Sequence, residues 1–140
     1  MAAAESYPDD LKYHPEHDWA RIEGDEATLG ITWFAQDALG ELVHFEPPEA
    51  SSTVSKDQPY GEVESVKAVS DVIAPLSGEV LEVNAKVVDA PETVNEDPYG
   101  EGWLIRIRMS DPSQVDSLLD AAAYKQLLDA DAYRQLLAEQ

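Results

Sequence analysis

Cysteine is absent from this chain of 140 residues. The chain therefore has no thiol with which to form a disulfide, a thiolate metal site, an iron–sulfur cluster or a cysteine nucleophile. Basic residues are also scarce, since nine Lys and Arg stand against 29 Asp and Glu, for a formal net charge of −20. Phosphate backbones and anionic lipids repel such a polyanion, so we expect no nucleic-acid or membrane partner.

The same charge predicts that the partners are positively charged faces of other proteins. Simple solubility, or adaptation to high salt, is the alternative interpretation. No apolar run approaches the roughly 20 residues that a membrane-spanning helix needs. The start of the chain carries Glu5 and has no arginine before Arg21, unlike a signal or transit peptide. We therefore expect a cytoplasmic protein.

The remaining composition is that of a single globular domain spanning residues 1–140. Hydrophobic residues make up 44% of the chain and charged residues 27%, which is ordinary for a folded protein. Short alternating segments separated by turns, with helix-forming sequence at the end, predict a mostly-β barrel or sandwich. The clearest strand runs over residues 103–109, and a short helix is predicted from Trp33 to Leu39, between a Thr32 cap and a Gly40 stop.

The C-terminus contains one internal repeat. Residues 129–137 repeat residues 120–128 at seven of nine positions. Nine residues at about 100° each amount to two and a half helical turns. In one straight helix, Leu136 and Leu137 would therefore face away from the side that carries Leu127 and Leu128. A helix break capped by Asp129 is the alternative.

Catalytic patterns are weak. His14 and His17 are separated by Pro15, which disfavours a helix that would present both to a metal, so loop histidines are the simpler interpretation. The sequence has no G-x-S-x-G, no phosphate-binding glycine loop and no H-E-x-x-H. Acidic residues are so abundant that a chance pair is expected, and a solvated surface explains them. Nothing here indicates an enzyme.

Lys67 is the residue that the pattern singles out. It is one of five lysines and lies between two β-rich segments, 60–66 and 69–73, which predict a hairpin with Lys67 at its tip. The nearby Glu62, Glu64 and Asp71 favour the charged ammonium form, which suits a lysine presented to a modifying enzyme rather than a Schiff-base lysine. An ordinary surface lysine in a turn is the alternative.

The sequence around this lysine closely resembles the lipoyl-lysine hairpin of the glycine cleavage system H-protein family. The matching segment is Gly61-Glu62-Val63-Glu64-Ser65-Val66-Lys67-Ala68-Val69-Ser70-Asp71. Residues 13–19, 30–32, 35–40, 75–80, 83–84 and 94–105 also resemble the family, so the likeness covers about residues 11–128. Biotin carriers have methionines on both sides of their lysine, where this chain has Val66 and Ala68.

The resemblance implies a mostly-β fold of the lipoyl/biotinyl type. This is a flattened β-barrel, or barrel-sandwich hybrid, with short helices and a helical C-terminus. It would form one lipoyl-carrier domain with a core of about residues 11–128, followed by the duplicated segment 129–137. The resemblance also implies a monomer that catalyses nothing by itself. Covalent lipoate on Lys67 would be its cofactor, and lipoylating enzymes would attach it.

The implied function is that of the lipoyl carrier of glycine cleavage. The arm on Lys67 would shuttle an aminomethyl group from glycine decarboxylase, a pyridoxal phosphate enzyme, to aminomethyltransferase. Dihydrolipoamide dehydrogenase would reoxidise the arm. A lipoyl scaffold that assembles lipoate for transfer to other enzymes is one alternative. An acidic interaction module with an unmodified Lys67 is another.

The resemblance also implies roles for three carboxylates. Glu64 would help the lipoylating enzymes to recognise the correct lysine, and Asp18 and Asp71 would bind the amine of the loaded arm. Asp18 replaces a glutamate that is usual in the family, so we expect it to contact the arm less directly. Ser51 and Asp57 stand where the family commonly has glycines.

Overall fold

The protein is described by a computed structural model that covers the backbone of residues 3–138 and the side chains of residues 3–131. Its strands are β1 (Lys12–His14), β2 (Asp18–Glu23), β3 (Glu26–Ile31), β4 (Leu42–Glu46), β5 (Thr53–Val54), β6 (Pro59–Ser65), β7 (Val69–Ile73), β8 (Gly78–Val83) and β9 (Ile105–Met109). Its helices are α1 (Trp33–Leu39), α2 (Ala85–Asp89), α3 (Thr93–Glu96) and α4 (Ala121–Ala138), with a 3₁₀ helix at Pro112–Ser117. The prediction of a mostly-β chain is confirmed.

The strands form two antiparallel sheets. One has six strands in the order β1-β2-β3-β9-β8-β5, and the other has three in the order β4-β6-β7. One hydrophobic core joins the sheets, because Leu29, Ile105 and Ile107 of the larger sheet and Phe45 and Val63 of the smaller sheet are all buried in one cluster. The architecture is thus a sandwich of two sheets.

Helix α1 begins and ends at the predicted residues. The Thr32 side chain accepts a hydrogen bond from the backbone amide of Ala35, at 3.3 Å. Gly40 ends the helix with a φ of 85°, a conformation that glycine adopts without steric cost. The helix is short, but both of its ends are satisfied by neighbouring residues in the chain.

A second cluster holds the N-terminal segment to the C-terminal helix. The ring of Tyr124 in α4 stacks on Tyr13 of β1, with centroids 4.8 Å apart. The Tyr124 hydroxyl makes 2.8 Å hydrogen bonds with His17 Nδ1 and with Thr32 Oγ1. Strand β1 was not expected, since the first dozen residues predict an irregular lead-in. Three residues are too few for a recognisable pattern, and β1 exists because Tyr13 pairs with Trp19.

Helix α4 runs without interruption from Ala121 to Ala138, so the chain does not break at Asp129. Leu127 and Leu128 are half-buried against the second cluster. The side chains of Leu136 and Leu137 lie outside the described residues. No helix within residues 3–138 is both long and apolar enough to cross a membrane.

Truncation after Leu128 tests whether the duplicated segment is dispensable. The truncated chain keeps Tyr124 and the half-buried leucines, so we expect its Tm to fall by no more than about 3 °C. Truncation after Leu119 is the matched control, because it removes the Tyr124 stack and hydrogen bonds and should lower the Tm by about 10 °C or more, or prevent folding. Thermal unfolding followed by circular dichroism measures both. An unfolded chain ending at residue 128 would contradict the prediction.

Candidate functional site

Lys67 lies in the turn that joins β6 to β7, as predicted. The amide of Ser65 donates to the carbonyl of Ala68 at 2.8 Å, and the amide of Ala68 donates to the Ser65 hydroxyl at 3.2 Å. Ser65 is buried and so ties the turn to the core. Val66 and Lys67 occupy the two outer positions of the turn. Neither has a positive φ, a backbone conformation that a β-branched residue such as Val66 strongly disfavours.

The turn presents the lysine beside exposed apolar side chains. Val66 is 90% exposed and Val69 is 59% exposed, and Lys67 is exposed between them. At such exposure, neither valine side chain is stabilised by burial in the hydrophobic core.

The outer face of the hairpin is acidic. Glu62 pairs with Asp71 across the two strands, and Glu64 pairs with Val69. All three carboxylates are exposed, while Val63 and Val72 point inward and are buried. Among the described residues, none of these carboxylates forms an ion pair with Lys67. They remain available to a partner.

The Lys67 side chain lies over the end of α1. A Cβ atom placed on Gly40 would be 3.7 Å from Lys67 Cε, an ordinary van der Waals distance, so the lysine stem passes close to this glycine without crowding it. Gly40 also lines an acidic cleft of about 350 Å³, together with Gln36, Asp37, Glu41, Glu92, Asn95 and Glu96. The stem of the lysine therefore starts at the edge of an open cleft.

The structure places Asp18 inside the protein, which the sequence did not indicate. Asp18 is only 2% exposed, and its Oδ1 accepts a 3.3 Å hydrogen bond from the amide of Ile73. Burial raises the pKa of the Asp18 carboxyl well above its ordinary value of 3.8, although the Ile73 amide acts in the opposite direction. Ile73 lies two residues beyond Asp71 in β7, so the side chain of Asp18, from β2, contacts the strand that carries Asp71. The two side chains differ in exposure, because Asp18 is buried and Asp71 is exposed.

Sequence reasoning missed Tyr60. The register of the β6–β7 pairing shifts between Pro59 and Gly61, on either side of Tyr60. The buried Tyr60 hydroxyl has no hydrogen-bond partner among the described residues. Tyr60 occupies a buried position of an ordinary strand pattern, and nothing in the sequence marks its hydroxyl as different. Only the tertiary structure reveals it.

His14 and His17 both bind other side chains, but the expectation that both lie in a loop is wrong for His14, which ends β1 and is buried. His14 Nε2 lies 2.7 Å from Asp57 Oδ1, and the hydrogen bond from His14 is the main reason that the pKa of Asp57 is lowered. His17 bonds to Tyr124, and burial lowers the pKa of its imidazole. Asp57 has a φ of 71°, as does Ser51, so both adopt the left-handed backbone that glycine favours. No cluster of three potential metal ligands occurs in the part of the chain that the structure describes.

Two facing sheets that hold one exposed lysine in a hairpin turn define a carrier domain of the lipoyl and biotinyl type. The comparisons with known proteins agree. The family model for the glycine cleavage H-protein matches residues 11–131, and the chain belongs to that family.

Its relatives and structural neighbours bear the same name. The glycine cleavage system H protein of Symbiobacterium thermophilum is 53% identical over 117 residues, which cover 84% of this chain and 91% of the relative. That of Myxococcus xanthus is 50% identical over 121 residues, covering 86% and 94%. The crystal structure of the glycine cleavage system H protein from Mycobacterium marinum matches with a TM-score of 0.77 and 45% identity, over 84% of this chain and 94% of the neighbour. The predicted fold class is confirmed.

Asp18→Asn tests the burial of this carboxyl. Because its pKa is raised in the folded state, the folded protein keeps a proton that the unfolded chain loses as the pH rises past about 4. The free energy of unfolding of the parent therefore falls as the pH rises from the unfolded-state pKa of Asp18 to its folded-state pKa. The variant has no carboxyl at this position and does not lose this stability. We expect Asp18→Asn to melt within about 1 °C of the parent at about pH 3.5, and a few degrees above it at about pH 7.

Asp71→Asn is the matched control, because that side chain is exposed and its replacement should change the Tm by no more than about 1 °C at both pH values. A difference between Asp18→Asn and the parent that is the same at both pH values would show that Asp18 is not protonated by burial.

Proposed function

We propose that Lys67 carries lipoate as an amide on its Nζ atom, and that the chain is the lipoyl carrier of glycine cleavage. The observation that carries the proposal is the exposed Lys67 in a turn held by Ser65. The residues present fit the group, because Lys67 is exposed and its stem passes Gly40 without crowding. A modifying enzyme can reach Nζ without unfolding the hairpin.

Bound lipoate would supply a disulfide that is reduced as it accepts an aminomethyl group and is later reoxidised. The partners would be glycine decarboxylase, aminomethyltransferase and dihydrolipoamide dehydrogenase, together with the enzymes that attach lipoate. The chain itself would hold Lys67 at a defined point outside its surface, so that each partner can receive the same arm.

The acidic outer face supports recognition rather than stability. Glu46, Glu62 and Asp71 lie side by side on three adjacent strands, and like charges directly opposite each other destabilise a sheet by some tenths of a kcal/mol. Burial of Val63 and Val72 on the inner face, at about 1.5–3 kcal/mol each, outweighs that repulsion. Retaining the carboxylates is useful if basic surfaces of partner enzymes bind them.

Within this face, Glu64 is proposed as the residue by which lipoylating enzymes recognise Lys67. It is exposed in β6, three positions before the lysine, and its neighbour across the strands is the exposed Val69. Asp71, exposed in β7, and Asp18, buried behind that strand, are proposed to bind the amine of the loaded arm.

Lys67→Arg tests the site of attachment. The arginine preserves the positive charge and much of the length but does not form the lipoyl amide, so the protein should remain unlipoylated and aminomethyl transfer should be lost. The turn is held by Ser65 and Ala68, so the Tm should change by less than about 1 °C. Intact mass spectrometry after expression with a lipoylating enzyme gives the lipoylation state, and the exchange of glycine with bicarbonate gives the transfer activity.

Lys56→Arg and Lys86→Arg are the controls, and both should gain the mass of one lipoyl group. Lipoate found on Lys56 or Lys86 of the parent protein would be incompatible with the proposal. Lipoylated protein that passes lipoate to other enzymes, but does not support glycine exchange, would instead favour the lipoate-scaffold interpretation.

A further inference from the structure

The Tyr60 hydroxyl is the one buried side-chain polar atom without a hydrogen-bond partner in the described part of the chain. Tyr60 is 7% exposed. An unpaired buried hydroxyl is costly, and proteins satisfy the large majority of such groups. A phenylalanine would fill the same space without that cost, so the hydroxyl points to a ligand that binds there.

The backbone at Tyr60 is also irregular. Pro59 pairs with Ile73, but Gly61 pairs with Val72, so Tyr60 is an extra residue in β6. Such bulges redirect a side chain and are frequent beside functional sites. Here the bulge lies opposite Ile73, the residue whose amide binds Asp18.

Asp18 and Tyr60 are close enough to interact electrostatically. After burial, the charge of Asp18 is the second cause that raises the pKa of the Tyr60 hydroxyl. Asp18 is itself poorly satisfied, because among the described residues the one hydrogen bond to its carboxyl is the long one from Ile73, at 3.3 Å. Two polar groups thus lie together inside the protein with unused hydrogen-bonding capacity.

We propose that the Asp18 carboxyl and the Tyr60 hydroxyl together form a receptor for a primary amine, and that Tyr60 is a direct ligand of the amine carried on the arm of Lys67. This inference rests on the proposed function. The amine would take up the proton that burial keeps on the Asp18 carboxyl. The resulting ammonium would donate one hydrogen bond to the Asp18 carboxylate and one to the phenolic oxygen, while the phenol O–H donates a hydrogen bond to the same carboxylate. The unpaired hydroxyl and the weakly held carboxyl would then both be satisfied.

The receptor lies within reach of the arm. Strand β7 leads from Val69, next to the turn, to Ile73, beside Asp18, which is about 13 Å at the usual rise of a strand. A lysine side chain extended by a lipoyl chain covers such a distance. β7 is an edge strand of its sheet, so the arm can lie along it without displacing another strand.

Tyr60→Phe tests this proposal on the lipoylated protein, loaded chemically. The reduced arm is incubated with formaldehyde and ammonia, so that one thiol, one formaldehyde and one ammonia give the aminomethyl thioether and one water. Loss of the phenolic oxygen removes a hydrogen bond to a charged amine. The half-life of the loaded form, measured as ammonia release, should therefore shorten about tenfold.

Two further readouts are independent of the loaded arm's reactivity. The unlipoylated Tyr60→Phe protein should melt at the same temperature as the parent or up to about 4 °C higher, because an unsatisfied hydroxyl is removed. With carbon-13 labelled tyrosine, the Cζ resonance of Tyr60 should shift when the parent protein is loaded.

Tyr13→Phe is the matched control. The Tyr13 hydroxyl already donates to the carbonyl of Pro8 at 2.8 Å, away from Asp18. This variant should have a lower Tm than the parent but the same half-life of the loaded form. That result would show that loss of a phenolic hydroxyl elsewhere in the protein does not speed the release of ammonia.

A Tyr60→Phe protein with the parent half-life would overturn the proposal, as would a Tyr60 resonance that does not move on loading. A Tm lowered in the unlipoylated variant would also overturn it, because it would show that a buried water or another structural partner satisfies the hydroxyl. Failure of the proposed function is distinguishable, since the parent protein would then carry no lipoate on Lys67 by mass spectrometry.

Discussion

The position of Lys67 depends on the burial of one face of the β6–β7 hairpin. Val63 and Val72 point into the core shared with the larger sheet, and Ser65 continues that inner row to the turn. Side chains alternate along a strand, so these buried residues direct Glu62, Glu64 and Asp71 outward. A slip of one residue would exchange the two faces, burying the carboxylates and exposing the valines. The core therefore determines both where the lysine lies and which charges surround it.

The second constraint is a set of hydrogen bonds around Asp18, which is buried behind the hairpin. Asp18 begins β2 of the larger sheet and accepts a hydrogen bond from Ile73 at the edge of the smaller sheet, so a buried carboxyl links the two sheets beside the hairpin. Tyr124 of the C-terminal helix bonds to the neighbouring His17 and to the cap of α1. The elements around Asp18 are thus held by specific hydrogen bonds, whereas the strands of the lysine hairpin are anchored mainly by the apolar packing of Val63 and Val72.

Several features could be predicted from the sequence because neighbours in the chain determine them. Helix α1 is bounded by Thr32 and Gly40, and both act on residues within one turn of themselves. The lysine hairpin follows from two alternating segments around a short turn. The left-handed backbone at Asp57 agrees with the family's usual glycine at that position. The resemblance to the H-protein family extended these local patterns to the whole fold.

What the sequence by itself determined was therefore the strand-rich class, the presented lysine, and the acidic character of its surroundings. Only the tertiary structure decided that Asp18 is buried, that β1 pairs, and that the Tyr60 hydroxyl has no partner among the residues that the structure describes. The Asp18–Ile73 and His17–Tyr124 hydrogen bonds join residues 55 and 107 positions apart, and no local pattern encodes such a contact. The sequence alone does not distinguish a solvated carboxylate from a buried one, because its burial depends on which distant strand covers it.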